Sequence, residues 1–79
     1  MERITKSFER QSIMKTFGAQ MTVVEPGHVE IKAPILPGSQ QQHGYAHAGL
    51  IFALGDSAAG YAALTMMEAG CEVLTAEMK

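Results

Sequence analysis

The chain has 79 residues, about half of the length of an ordinary domain, so two domains or a large single-chain enzyme are excluded. Hydrophobic residues make up 47% of it, which excludes a disordered chain, and the net charge of −2 offers no basic face for nucleic acid. Cys71 is the single cysteine, so neither an internal disulfide nor a cysteine-based zinc cluster forms. No apolar signal core follows Met1, and we therefore expect a cytoplasmic protein.

Residues 3–16 mix apolar and charged side chains in a helical pattern. Ile4 and Phe8 are four residues apart and share one helical face. Gly18 follows at the position where glycine usually ends a helix. The pattern predicts a short N-terminal amphipathic segment of one or two helices.

A β-hairpin is predicted next. Residues 21–24 form an apolar run, and residues 29–33 alternate between apolar and charged side chains with a period of two. Pro26 and Gly27 lie between the two runs and are typical turn residues.

The segment from Ala48 to Met67 carries a single charged side chain, Asp56. An apolar helix with many small residues predicts a buried helix against which another element packs closely. A membrane-spanning helix is the alternative, but Asp56 would be costly in lipid and the segment is poor in leucine. We therefore expect no membrane association. Residues 72–79 alternate again and predict a strand that runs to the last residue.

Asp56 is the main candidate for chemistry, because an unpaired carboxylate in a buried helix is costly. Its helical neighbours cannot pair with it, so its partner lies on another segment, on another chain, or in a ligand or water. Two roles are open for Asp56: it is a general base or nucleophile in a cleft, or it is a structural aspartate that binds a loop.

The start of the same helix is the second candidate. His47, Ala48 and Gly49 precede or begin it, and the first N–H groups of a helix favour a developing negative charge. Such donors suit an oxyanion, although an ordinary helix start would have the same residues. His43 and His47 are four apart, but two histidines are too few for zinc and no metal site is expected.

Residues 41–49 (QQHGYAHAG) and 53–63 (ALGDSAAGYAA) together resemble the PaaI-type acyl-CoA thioesterases of the hotdog fold. That family has a His-Gly-Gly at the start of its helix and an Asp nine residues after the His, which is the spacing of His47 and Asp56. The resemblance implies an α+β fold in which an antiparallel sheet wraps around a long central helix. It also implies hydrolysis of an acyl thioester to a carboxylic acid and free coenzyme A.

The resemblance implies a role for each matching residue. Asp56 would activate water or attack the carbonyl, and the N–H of Ala48, with that of Gly49, would stabilise the oxyanion. Gln41 would lie near the reacting water or carbonyl. Thr75 would approach that water from the partner subunit. His47 would position the loop beside the substrate, and helix geometry places Phe52 in the apolar pocket.

No cofactor is implied, because coenzyme A is part of the substrate, and the expected assembly is a homodimer or homotetramer with its site at the subunit interface. Two departures stand out: Ala48 replaces the first Gly of the motif, and the chain stops where the family continues its sheet. We therefore expect one C-terminally truncated hotdog domain over residues 1–79, which leaves part of the helix bare. The alternative is a non-catalytic hotdog module that binds acyl-CoA or only oligomerises.

Overall fold

The computed structural model describes residues 1–76, which contain two short N-terminal helices, one β-hairpin and one long helix. The elements in chain order are α1 (Glu2–Glu9), α2 (Ser12–Phe17), β1 (Gln20–Glu25), β2 (His28–Lys32), a short 3-10 turn (Pro37–Ser39) and α3 (Ala48–Leu64). The N-terminal segment thus forms two helices, and not one over 3–16. Gly18, with φ of 67°, ends α2 in the left-handed conformation that favours glycine.

The hairpin forms where the alternation predicts it. β1 and β2 pair antiparallel, and Val24 lies opposite Val29 beside the turn. Gly27 has φ of 73°, so it provides the left-handed position of that turn. The register shifts between Met21 and Val23, which makes Thr22 the extra residue of a β-bulge.

The core lies between the hairpin, α1 and the C-terminal half of α3. Ile4, Val29 and Tyr61 are buried there, and the ring of Phe8 meets that of Tyr61 edge to face at 6.4 Å. Burial of these apolar side chains is the main force that holds the hairpin against the helix.

The prediction of a helix buried on all sides is wrong for this chain. α3 ends at Leu64, and only Leu50 and Tyr61 are fully buried along its 17 residues. Ile51 is 62% exposed and Phe52 is 51% exposed. The hairpin covers one face, while the opposite face has no covering element within residues 1–76, as expected for a helix left partly bare.

The prediction of a strand over 72–79 is wrong for residues 72–76, which are irregular; residues 77–79 lie outside the described part. A strand needs a paired neighbour for its backbone groups. Residues 72–75 lie instead beside α3: a Cβ placed on Gly60 would be 3.6 Å from Cγ1 of Val73.

Two ties fix the C-terminal end of α3. The Arg3 guanidinium donates to the carbonyl of Leu64, the last residue of α3, at 2.8 Å and to that of Met67, in the turn after it, at 2.6 Å. The Gly27 N–H donates to Thr65 Oγ1 at 2.7 Å and so joins the hairpin turn to the same end. No helix within residues 1–76 combines the length and apolar character needed to cross a bilayer.

Candidate functional site

Asp56 lies on the wall of a cleft of about 380 Å³. One side of this cleft comes from α3, the second from Ser7 and Gln11 at the N-terminal helices, and the third from residues 72–75. Asp56 itself is half-buried, so its carboxylate is open to the cleft. Both roles that the sequence leaves open for Asp56, a carboxylate in a cleft and a structural aspartate that binds another segment, stay predictions.

The partner of Asp56 comes from another segment of the same chain. The hydroxyl of Thr75 donates a hydrogen bond to Asp56 Oδ1. The sequence required a partner outside α3, and Thr75 is such a partner. The approach of Thr75 to a reacting water from a second subunit stays a prediction, since the contact here is within one chain.

A network of polar side chains continues the cleft beyond Asp56. Gln11 Nε2 donates to the Tyr61 hydroxyl at 2.8 Å and to Ser57 Oγ at 3.3 Å. Ser7 Oγ and the Tyr61 hydroxyl are hydrogen-bonded at 3.0 Å, and Tyr61 is only 7% exposed. Sequence reasoning missed this network. The signal was present in Tyr61 and Ser57, whose polar atoms need partners when an otherwise apolar helix buries them.

The start of α3 is built around His47. Its Nδ1 accepts from the Gly49 N–H at 2.7 Å, and its carbonyl accepts from the Leu50 N–H at 3.0 Å. The Ala48 N–H has no acceptor within residues 1–76. The two predicted oxyanion donors therefore differ: Ala48 has a free N–H at the surface, whereas the N–H of Gly49 is occupied by the histidine ring.

Gln41 organises the loop before α3. Its side-chain Oε1 accepts from the N–H of His43 at 2.6 Å and of Tyr45 at 3.2 Å. The loop is closed further by the His47 N–H, which donates to the Ser39 carbonyl at 2.9 Å. The oxygen of Gln41 is thus used inside the loop, and its role near a reacting water stays a prediction.

The structure brings the predicted residues together at two separate places. Asp56 and Thr75 meet in the cleft, while His47, Ala48 and Gly49 lie at the N-terminus of α3. Ala48 and Asp56 are eight residues apart on one helix, which is about 12 Å along its axis at 1.5 Å per residue. Phe52 lies halfway between them on the uncovered face.

Comparison with known proteins gives one strong similarity. No protein-family model matches the chain, and no curated protein matches it. A crystal structure of a thioesterase family protein from Silicibacter pomeroyi is 43% identical, with a TM-score of 0.92 over 96% of this chain. The chain spans 56% of the length of that protein. It therefore has the fold of part of a hotdog thioesterase, a small α+β unit with two antiparallel strands and a long helix.

Proposed function

We propose that the chain is an acyl-CoA thioesterase that hydrolyses an acyl thioester to a carboxylic acid and free coenzyme A. The observation that carries the proposal is the position of Asp56. It is the one carboxylate of α3, it borders a cleft, and it accepts a hydrogen bond from Thr75. The 43% identity to a thioesterase family protein supports the reaction class.

In the proposed reaction, Asp56 takes a proton from water as the water oxygen attacks the thioester carbonyl, or its carboxylate attacks that carbon directly. The carbonyl oxygen then carries a negative charge, which the Ala48 N–H stabilises as a hydrogen-bond donor. Collapse of this intermediate breaks the C–S bond, and the thiolate of coenzyme A leaves and takes up the proton that Asp56 removed from water. In the direct attack the collapse leaves a mixed anhydride between the acyl group and Asp56; water hydrolyses it to the carboxylic acid and the free carboxylate, and the proton released goes to the thiolate. Thr75 would orient the carboxylate or the water.

The distance between the two groups supports a site shared by two copies of the chain. Both must lie within about 3 Å of the reacting atoms, yet they are about 12 Å apart along α3. Two α3 helices packed antiparallel about a twofold axis at Phe52 would place Ala48 of one copy opposite Asp56 of the other. Ile51 and Phe52, both exposed on that face, would be covered in such a homodimer or homotetramer.

The proposed substrate also accounts for the groups that the site would bind. Coenzyme A enters as part of the substrate, and the proposed steps need no metal and no redox cofactor. Phe52 would contact the acyl group beside the pocket, and His47 and Gln41 would shape the loop around the thioester. Cys71 is a free thiol, which suits a protein of the reducing cytoplasm.

The second candidate is a non-catalytic hotdog module that binds acyl-CoA or only oligomerises. The exposed apolar face of α3 favours it, because such a face can bind a ligand or a second copy of the chain without any reaction.

Release of free thiol from a panel of aliphatic and aromatic acyl-CoAs tests the proposal. The 79-residue chain is compared with Asp56→Asn and with Glu9→Gln, a control that removes an exposed carboxylate from α1. Circular dichroism first establishes that all three are folded. Turnover that is lost only in Asp56→Asn supports a thioesterase, and a folded chain without turnover favours the binding module.

A further inference from the structure

The donors of the first turn of α3 are not equivalent. The Gly49 N–H is taken by Nδ1 of the His47 ring at 2.7 Å, and the Leu50 N–H is taken by the His47 carbonyl at 3.0 Å. Within residues 1–76, Ala48 keeps the one N–H of these three that has no acceptor. A helix start normally leaves several donors open. Here His47 accepts from two of these donors, and within residues 1–76 the third, that of Ala48, has no acceptor.

The fit between His47 and Gly49 is close. A Cβ placed on Gly49 would lie 3.0 Å from Nδ1 and 3.4 Å from Cε1 of the His47 ring. The first distance is a few tenths of an ångström shorter than ordinary van der Waals contact, and the second is at its lower limit. A side chain at 49 would therefore require the His47 ring to shift, whereas the backbone conformation there is helical and would accept any residue.

The cap also requires one protonation state of the ring. Nδ1 accepts a hydrogen bond, so it carries no proton, and the proton of the neutral imidazole is on Nε2. In the imidazolium both nitrogens are donors, and the Nδ1 proton would face the Gly49 N–H. The hollow that His47 shares with Gly49 and Leu50 is otherwise lined by Phe17, Gly38, Ser39 and Gln40, none of which has an ionisable side chain.

We propose that His47 is a positioning residue and a pH-sensitive one: its neutral ring caps α3 through Gly49 and leaves the Ala48 N–H as the open donor, and protonation of the ring releases the cap. The inference rests on the proposed function, because the Ala48 N–H matters only if it stabilises an oxyanion. The cap holds the first turn in the geometry that aims this N–H outward. The open-donor arrangement is therefore lost when the ring takes up a proton, because the protonated Nδ1 cannot accept from the Gly49 N–H.

The test compares three variants of the 79-residue chain by NMR and by kinetics. His47→Asn keeps a side chain that caps helices well but does not titrate in this range. His47→Ala removes the cap. His43→Asn is the control, since His43 is exposed in the same loop. The readouts are the Gly49 backbone amide resonance against pH, and the pH profile of kcat separated from KM.

We expect the Gly49 amide to move with the titration of the His47 ring in the wild type and in His43→Asn, and to be insensitive to pH in His47→Asn. At pH 8, His47→Asn keeps more of the wild-type kcat than His47→Ala does, because asparagine can still cap the helix, and its fall in kcat toward pH 5 is smaller than that of the wild type. His47→Ala loses about fivefold in kcat at pH 8, the factor that corresponds to the roughly 1 kcal/mol of a helix cap.

A Gly49 amide that ignores the His47 titration overturns the cap. An unchanged acid fall of kcat in His47→Asn overturns the positioning role, even if the cap is present. A wild-type chain without turnover overturns the proposed function, and the amide titration then still decides whether protonation of His47 releases the start of α3.

Discussion

Replacement of Ala48 by proline should abolish most of the turnover and leave the fold unchanged. Proline removes one N–H and little else at this position. Ala48 is the first residue of α3, where proline is favoured, and its N–H has no acceptor within residues 1–76 that the change would deprive. His47 has ψ of 140°, which is the extended conformation that a residue before proline prefers.

The expected effect of Ala48→Pro on stability is much smaller than its expected effect on turnover. The free energy of unfolding should stay within about 1 kcal/mol of the wild type, and proline can raise it by stiffening the unfolded chain. Loss of an oxyanion donor costs about 100- to 1000-fold in kcat, or about 3–4 kcal/mol of transition-state stabilisation. Ala48→Ser, which keeps the N–H, is the matched control and should retain turnover. Thiol release gives kcat and KM, and a thermal melt gives the stability.

Wild-type turnover in a folded Ala48→Pro variant would refute the role of this N–H. Mixing the Ala48→Pro and Asp56→Asn variants provides a sharper test of a site shared by two copies. If Ala48 and Asp56 act across a twofold interface, a heterodimer of Ala48→Pro and Asp56→Asn has one intact site of two. Random exchange of equal amounts should then restore about a quarter of the wild-type activity. No recovery after verified subunit exchange would contradict the two-copy site.

Three further changes test the packing. Gly49→Ala should lower the free energy of unfolding by about 0.5–1 kcal/mol, because its Cβ would lie 3.0 Å from the His47 ring and weaken the cap. Helix propensity alone predicts a higher free energy of unfolding, and that result would contradict the contact. Arg3→Met should lower Tm by about 4 to 8 °C, since it removes the guanidinium from the carbonyls at the end of α3; an unchanged melt by circular dichroism would show that these exposed bonds contribute nothing. If the chain forms the proposed homodimer, Phe52→Asp should leave the folded protomer intact, because Phe52 is already 51% exposed, and should convert the dimer to monomers in analytical ultracentrifugation; a dimeric mass in the variant would exclude this face as the interface.

The elements that depend on local pattern were predictable. The turn at Gly27 and the beginning of α3 at Ala48 follow from residue types and periodicity over a few positions. The pattern left open whether the N-terminal segment forms one helix or two, and it forms α1 and α2. The bulge at Thr22 was not predicted, because the side-chain pattern does not report where a strand pair takes an extra residue.

Features that depend on distant contacts were predicted less well. The apolar character of α3 predicted burial, but burial depends on what covers a helix, and Phe52 is uncovered here. The sequence left the partner of Asp56 open among another segment, another chain, a ligand and water, and the structure has the hydroxyl of Thr75 there; the role of Thr75 across a subunit boundary stays a prediction. The capping of α3 by a histidine ring was not expected, because serine, threonine, aspartate and asparagine are the usual caps.

The Arg3 guanidinium makes the two ends of α3 mechanically different. Its C-terminal half is anchored by the bonds from Arg3, by the burial of Tyr61 in the core and by the bond from the hairpin turn to Thr65. These contacts join the end of the helix to residues far away in the chain. Its N-terminal half has Leu50 as its one buried side chain, and its start is held by the His47 N–H on the Ser39 carbonyl and by the Gly49 N–H on the His47 ring. These bonds join α3 only to the loop before it, whereas those of the far end join it to the N-terminal helix and the hairpin. We therefore expect amide hydrogen exchange to be faster in the first turn of α3 than around Tyr61, and a bound acyl thioester that accepts from the Ala48 N–H to slow it.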